Sequence, residues 1–140
     1  MAENLKQLLL ANSDFLAQEL MKVVQNSDYA FITPAQSRLL AHMGGKQITM
    51  VELSSKLAIS RQAVHKTVME LSRQGVLELK DDPKRPNGKI VLYTEKGRQL
   101  NRKGAQIIES LEQQIAFKIG EHELQMLKST LAKILPSKSP

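Results

Sequence analysis

Residues 3–25 repeat apolar side chains at the helical period. Intervals of three, four and seven residues place such side chains on one face of an α-helix. The segment therefore predicts a long amphipathic helix from about residue 3 to residue 25. Its apolar stripe consists of Leu5, Leu9, Leu16, Leu20 and Val23/Val24, with Leu8 and Phe15 broadening it.

Two shorter helices are predicted from their capping signals. TPAQ at 33–36 and TMVE at 49–52 both match a capping box, in which the first and fourth side chains satisfy each other's main-chain N–H groups. Pro34 stands at the first helical position, where its missing N–H has no consequence. The first of these helices is expected to end at Gly44-Gly45 and the second at about Leu57.

A β-hairpin and two further helices are predicted in the second half of the chain. VLELK at 76–80 and KIVLY at 89–93 are rich in branched apolar residues, and the Asn87-Gly88 pair between them is a hairpin signal. Thr94 caps a long helix, which Gly120 separates from a last one. The final SKSP, residues 137–140, is expected to be loose.

The segment SRQAVHKTVMELSRQG, residues 60–75, predicts a helix with two different faces. Ser60 caps its start, and Gly75 suits a left-handed residue after its end. At about 100° per residue, Val64, Val68 and Leu71 share an arc that must face a core. The opposite side carries Gln62, Lys66, Met69 and Arg73, with His65 at its flank.

Composition excludes several classes of protein. A chain of 140 residues is long enough to bury one core and is expected to form one folding unit. The absence of cysteine excludes a disulfide framework, a thiolate nucleophile and a thiolate zinc site. No apolar run approaches the roughly 18 residues of a membrane span, and LKQLLLAN near the start lacks a secretion leader, so we expect a cytoplasmic protein.

The excess positive charge is concentrated in the middle of the chain. Residues 46–103 contain 13 Lys and Arg against 6 Asp and Glu, a surplus of +7, whereas the remainder carries −1, which gives the net +6. A basic centre between near-neutral arms is typical of a nucleic-acid-binding surface. A solvated basic face without a partner is the alternative.

The order of the central elements predicts a winged helix-turn-helix. A capped helix, a turn at residues 58–60, a second helix and a hairpin follow one another. The major groove admits one helix, and Arg, Lys and Gln side chains bind base edges. The candidates for DNA contact are Ser60, Arg61, Gln62, His65, Lys66 and Arg73 in the helix and Lys84, Arg85 and Lys89 in the wing.

These segments resemble the MarR (multiple antibiotic resistance regulator) family of bacterial transcription factors. The resemblance rests on SRQAV at 60–64, MELSRQGVL at 69–77, YTEKG at 93–97 and TPAQSRLLAHM at 33–43. It implies a mainly α fold with a small β-hairpin wing (α+β). It also implies one MarR-like domain over residues 1–140, with a DNA-binding lobe at 33–94 and dimerisation helices at 3–25 and 95–135.

Two positions depart from the family pattern. Ala58 stands in the turn where glycine is usual, which would cost about 1 kcal/mol if that residue is left-handed. Arg85-Pro86-Asn87 replaces the usual Asp-Arg-Arg type of sequence near the wing tip. Lys84 and Arg85 are still expected to reach the minor groove or a phosphate, and a merely solvated loop is the alternative.

The outer helices carry more apolar surface than a helix-turn-helix and a hairpin can cover. Pairing of two chains would bury it, as the resemblance also implies, and a monomer with folded-back helices is the alternative. A homodimer would set two recognition helices about 34 Å apart, which predicts a pseudo-palindromic operator. We expect a homodimeric repressor, although the residues do not distinguish a repressor from an activator. The predicted dimerisation residues are Leu5, Leu9, Leu16, Leu111, Ile115, Leu124, Leu127 and Leu131.

Small ligands and catalysis receive little support from the sequence. The resemblance suggests a small-molecule effector of unidentified structure near Phe31, His42 and Met43, although Phe and Met at such positions are more often core residues. The three histidines lack metal-site spacing, and we expect no metal and no other cofactor. No phosphate loop, nucleophile motif or carboxylate pair indicates an enzyme. The remaining alternative is a winged-helix protein–protein interaction module with only nonspecific affinity for DNA.

Overall fold

The computed structural model describes residues 3–136 and divides them into two compact units, between Ala105 and Gln106. No helix within residues 3–136 combines the length and apolar character that crossing a membrane requires. The elements of the described chain are α1 (Leu5–Gln25), α2 (Pro34–Met43), β1 (Ile48–Thr49), α3 (Met50–Leu57), α4 (Arg61–Arg73), β2 (Leu77–Asp81), β3 (Lys89–Tyr93), α5 (Glu95–Ile119) and α6 (Glu121–Ile134).

The helix starts follow the capping signals, with two corrections. Helix α1 begins at Leu5 rather than residue 3, because Asn4 and Gln7 form a capping box that the sequence prediction missed. The predicted box of α2 is confirmed. At α3, Thr49 Oγ1 accepts from the Glu52 N–H at 3.1 Å, but the return bond to the Thr49 N–H does not form. Thr49 is instead also the last residue of a β-strand, so its main chain serves two elements.

That strand, β1, was not predicted. It pairs antiparallel with β3, with Ile48 opposite Val91 and Thr49 opposite Ile90, and the sheet order is β1-β3-β2. Two residues are too short to show an alternating pattern, so only pairing with β3 defines them as a strand. The hairpin of β2 and β3 is confirmed, with residues 82–88 as the loop between the two strands.

Helices α2, α3 and α4 pack together with the sheet around the core of the first unit. The predicted inward arc of α4, Val64, Val68 and Leu71, is fully buried. Burying three branched side chains in this way stabilises the unit by several kcal/mol, at roughly 1.5–3 kcal/mol each, and fixes which face of α4 points outward. The other fully buried apolar side chains are Leu39, Leu53, Val76, Leu77 and Val91.

The first turn of α5 is attached to the turn that follows α4. Thr94 caps α5, since its Oγ1 accepts from the Gly97 N–H at 3.0 Å. The same hydroxyl lies within hydrogen-bonding distance of the Gly75 and Val76 carbonyl oxygens. Gly75 itself is left-handed, as predicted (φ 79°). The end of the recognition helix is thereby fixed relative to the start of α5.

In the second unit, the remainder of α5 is followed by α6. Lys128 Nζ on α6 donates to Glu112 Oε1 on α5 at 2.6 Å, so the chain turns back on itself after Gly120. Up to residue 136, the buried apolar side chains of this unit are Ile107, Leu111 and Leu124. Large apolar side chains that remain exposed in the unit are Phe117, Ile119, Met126, Leu127, Ile134 and Leu135.

Candidate nucleic-acid interface

Helix α4 presents an exposed polar face. Ser60 Oγ accepts from the Ala63 N–H at 3.1 Å, which fixes the start of the helix as predicted. The side of α4 opposite the buried arc is open near this end of the helix, where a major-groove helix contacts base edges. The predicted contact residues of α4 are all exposed. Near the start of the helix they are Ser60, Arg61, Gln62, His65 and Lys66, and at its end Arg73.

The cations of α4 are available to an external anion. Within residues 3–136, Arg61, Lys66 and Arg73 form no ion pair with an acidic side chain. Their charges are therefore not neutralised internally and can interact with phosphates or base acceptors. Glu70 is the one acidic residue of α4, and it is half-buried and hydrogen-bonded to Gln36 on α2.

The turn between α3 and α4 places a side chain in the left-handed region. Ala58 has φ 53° and ψ 36°, and its N–H donates to the Ser54 carbonyl at 3.0 Å. A left-handed alanine costs about 1 kcal/mol relative to glycine. This conformation sets the angle between α3 and α4, and the orientation of the recognition helix α4 depends on that angle.

The wing loop is ordered by its own main-chain hydrogen bonds. Asp82 Oδ1 accepts from the Lys84 N–H at 2.9 Å, and the Asp82 N–H donates to the Gly88 carbonyl at 2.9 Å. Asn87 is left-handed, with φ 59°. Lys84 and Arg85, the predicted wing contacts, are both exposed at the tip.

Lys89 differs from the other wing cations because it has an internal partner. Its ammonium group donates to the Asp81 carboxylate directly across the hairpin. That hydrogen bond, followed by the positive charge itself, lowers the pKa of Asp81 below its ordinary value. The charge of Lys89 is thus shared with Asp81, which leaves Lys84 and Arg85 as the stronger candidates at this end of the hairpin.

A second group of cations, missed by the sequence prediction, surrounds His42. Burial, followed by the positive charges of Arg38 and Lys56, lowers the pKa of His42 below its ordinary value. Arg38 lies one helical turn before His42, a spacing that could have been noticed in the sequence, whereas Lys56 approaches from α3. Residues 3–136 contain no group of three or more side chains suited to hold a metal ion.

The end of α4 has a contact that sequence reasoning also missed. Lys96 Nζ on α5 donates to the Gln74 carbonyl at 2.9 Å and lies 4.7 Å from the centroid of the Phe31 ring. A cation at the C-terminus of a helix interacts favourably with the helix dipole. Nothing in the spacing of these three residues along the chain indicates that they meet.

Comparison with known proteins supports the resemblance to the MarR family. Residues 32–85, which contain α2, the helix-turn-helix and the first strand of the wing, match the sequence model of the MarR family. Over this segment the chain is similar to the MarR family. Its mainly α fold with a small sheet is confirmed.

Solved MarR-family structures superimpose on nearly the whole chain. The oxidised form of MarR from E. coli has a TM-score of 0.77 at 25% identity and covers 97% of each chain. A mutant MarR from E. coli complexed with operator DNA has a TM-score of 0.70 at 25% identity, covering 94% of each chain. MepR, a regulator of the Staphylococcus aureus multidrug efflux pump MepA, shares the fold at a TM-score of 0.66 and 20% identity, covering 94% of this chain and 96% of its own. No curated protein matched by sequence.

Proposed function

We propose that the protein is a homodimeric repressor that binds a pseudo-palindromic operator through α4 and the wing. The observation that carries this proposal is the exposed face of α4, where cationic and amide side chains without acidic partners lie on the outer side of a rigidly packed helix. An interaction module would need an apolar or mixed face there. A relative with the same fold has been solved with operator DNA, which supports the same mode of binding.

Each contact has a distinct role in this proposal. Arg61, Gln62 and Lys66 reach base edges in the major groove, with Ser60 and His65 beside them. Arg73, at the other end of α4, binds a backbone phosphate and sets the register without specifying sequence. Lys84, Arg85 and, to a smaller extent because of Asp81, Lys89 lie along the minor groove or the adjacent backbone.

Dimerisation is supported by apolar side chains that the single chain leaves exposed. On α1 they include Leu5, Leu8, Leu9, Leu10 and Phe15, and in the second unit Phe117, whose side chain is 95% exposed. Large apolar side chains left exposed in this way are typical of an association site. Leu16, Ile115 and Leu131 are half-buried and Leu127 is exposed, so these predicted interface residues can contribute, whereas Leu111 and Leu124 are already buried in one chain.

The proposed domain organisation follows from these two surfaces. Residues 33–94 form the DNA-binding lobe of a single MarR-like domain, and residues 3–25 and 95–135 form the dimerisation region. Two-fold symmetry places the two α4 helices about 34 Å apart, one turn of B-DNA. We place the regulator in the cytoplasm, where it has access to its operator.

A small-molecule effector would act best at Phe31. Of the three residues suggested by the resemblance, Met43 is core, and His42 and Phe31 are half-buried. The Phe31 ring contacts the edge of Tyr29 and the ammonium group of Lys96. An aromatic or anionic compound that displaced Lys96 would remove its hydrogen bond to Gln74 and loosen the end of α4, which links binding of the compound to release of DNA.

Selection from a random pool of DNA duplexes tests the proposal, with titration of the enriched sequence at two salt concentrations. The expected result is a pseudo-palindrome whose half-sites lie one helical turn apart and whose affinity falls as salt rises. An unenriched pool, with weak binding that disappears at high salt, would leave only a nonspecific basic surface and contradict the proposal.

A further inference from the structure

Gln36 is a polar side chain in the core of the DNA-binding lobe. It is 1% exposed, the same burial as Leu39 beside it on α2. Its main-chain N–H donates to Thr33 Oγ1 and its Oε1 accepts from the Thr33 N–H, both at 3.1 Å, which completes the capping box of α2. These bonds use the amide oxygen and leave the side-chain NH₂ group to be satisfied elsewhere.

That NH₂ group donates to the recognition helix. Gln36 Nε2 lies 3.2 Å from Glu70 Oε2, across 34 residues of sequence. A capping box accepts glutamate as readily as glutamine at this position. Glu70 explains why position 36 is glutamine. A glutamate there would have no N–H group to donate to Glu70 and would bury a second negative charge beside the Glu70 carboxylate.

Glu70 would oppose DNA binding if it were not held inward. It lies four residues, about one helical turn, after Lys66, which places the two side chains on adjacent positions of the same helix edge. A released carboxylate would compete with phosphate for the Lys66 ammonium group and would repel the DNA backbone. In the structure the carboxylate is bonded to Gln36, and Lys66 forms no ion pair within residues 3–136.

The geometry points to Gln36 as a positioning residue for DNA recognition: its buried amide holds Glu70, which restricts the rotation of α4 further than its buried arc does, and keeps Lys66 free for DNA. This inference rests on the proposed operator binding. Gln36 is buried and acts on α4 through Glu70.

A purely structural hydrogen bond would change stability without changing recognition, so the test measures a specificity ratio. The ratio is the Kd for a random duplex divided by the Kd for the selected operator, at one salt concentration. A change in net charge alters both Kd values, whereas misplacement of α4 raises mainly the Kd for the operator. The variants are Gln36→Met, Glu70→Met, their double mutant and Glu70→Gln, which removes the charge but keeps an oxygen that can accept from Gln36.

The inference predicts a coupled pattern. Glu70→Met lowers the ratio about tenfold through the rotation of α4 alone, since no carboxylate remains to compete for Lys66. Gln36→Met lowers it at least as much, and its loss of the capping bond to the Thr33 N–H affects stability rather than the ratio. The double mutant lowers the ratio about tenfold rather than a hundredfold, because both single changes remove the Gln36–Glu70 bond. Glu70→Gln retains the ratio within about twofold, since the bond remains. Additive losses in the double mutant, or an unchanged ratio in folded Gln36→Met, would overturn the inference.

Tyr93→Phe is the matched control. It removes another partly buried hydrogen bond of the same lobe, from the Gly45 N–H to Tyr93 Oη at 3.2 Å, without contact to Gln36 or Glu70. We expect it to lower the melting temperature and leave the ratio unchanged.

If Gln36→Met does not fold, the same bond can be tested by changing only its acceptor, the half-buried Glu70. Glu70→Met removes the bond and Glu70→Gln keeps it, so equal specificity ratios in these two variants would refute the inference. Absence of operator preference in the wild-type protein would refute the proposed function instead.

Discussion

A Cβ atom on Gly97 would lie 2.0 Å from the carbonyl oxygen of Val76. This distance shows how closely the first turn of α5 approaches the turn between α4 and β2, where the Thr94 N–H also donates to that carbonyl at 3.1 Å. The glycine in the YTEKG motif is therefore required by a main-chain contact that a flexible side chain cannot relieve. Any larger residue must push α5 away from the end of the recognition helix.

Gly97→Ala is expected to destabilise the protein by about 3 kcal/mol, at the upper end for overpacking, because the obstructing atom belongs to the main chain. The free energy of unfolding from denaturant titration measures this. Gly104→Ala is the control, since a Cβ there meets nothing within 4 Å and position 104 is inside α5. Alanine should stabilise that helix by about 0.5–1 kcal/mol. Equal stability of the two variants would show that the close approach does not exist in solution.

Arg61→Ala and Lys66→Ala should each weaken operator binding by about 1–3 kcal/mol, because both side chains are placed to contact base edges or closely held phosphates. Fluorescence anisotropy with the selected duplex measures the loss. Lys22→Ala, which removes the same charge from an exposed position on α1, serves as the control and should change the affinity much less. Unchanged affinity in both α4 variants would reject the placement of this helix in the major groove.

His42 should make the fold less stable in mild acid. Its pKa in the folded protein is lowered by burial and by the charges of Arg38 and Lys56, from an ordinary value of 6.5. Below pH 6.5 the unfolded chain therefore binds a proton that the folded chain resists, so stability falls as the pH decreases through the folded pKa.

Replacement of His42 by glutamine tests this linkage. The variant should lose the part of the pH dependence that lies between about pH 7 and the folded pKa, as measured by the free energy of unfolding at a series of pH values. The control is His122→Gln, which removes a histidine from an exposed position of α6 and should leave the pH dependence of stability unchanged. A His42→Gln variant with the pH profile of the wild type would contradict the prediction.

Phe117→Asp should convert the proposed dimer into a folded monomer. The side chain is 95% exposed in one chain, so its replacement removes no contact within that chain and should leave the circular dichroism spectrum unchanged. A buried charge at a dimer interface is expected to cost several kcal/mol of association free energy. Sedimentation velocity measures the oligomeric state, with Gln113→Ser at another exposed position of α5 as the control. A Phe117→Asp protein that still sediments as a dimer would show that this part of α5 is not at the interface.

The helices and the recognition segment were accessible from the sequence because their signals are local. Helical periodicity, the Thr33 and Ser60 caps and the left-handed Gly75 depend on residues within a few positions of one another, and each is confirmed. The buried arc of α4 is confirmed as well, and the face opposite it follows from the same periodicity. The family resemblance rested on such segments and is also confirmed.

Contacts between segments distant along the chain could not be predicted in the same way. Strand β1 exists only because Ile48 and Thr49 pair with β3, and the same pairing accompanies the incomplete capping box at Thr49. A strand of two residues is too short to show a periodic pattern. A capping motif in the sequence also does not indicate whether its main-chain groups will pair with a strand instead. The long wing loop likewise depends on hydrogen bonds that Asp82 makes across it.

The sequence by itself determined which residues of α4 form the buried arc and where the helix would begin and end, because these properties follow from the geometry of a single helix. Met69, predicted on the opposite side, is half-buried. Only the tertiary structure decided that Gln36 meets Glu70, that Lys96 caps the end of α4, and that Lys89 is neutralised by Asp81. Each of these pairs joins different elements, so its formation depends on how the chain packs around the common core. The sequence shows the polar residues that could pair, and packing determines which of them remain free to bind DNA.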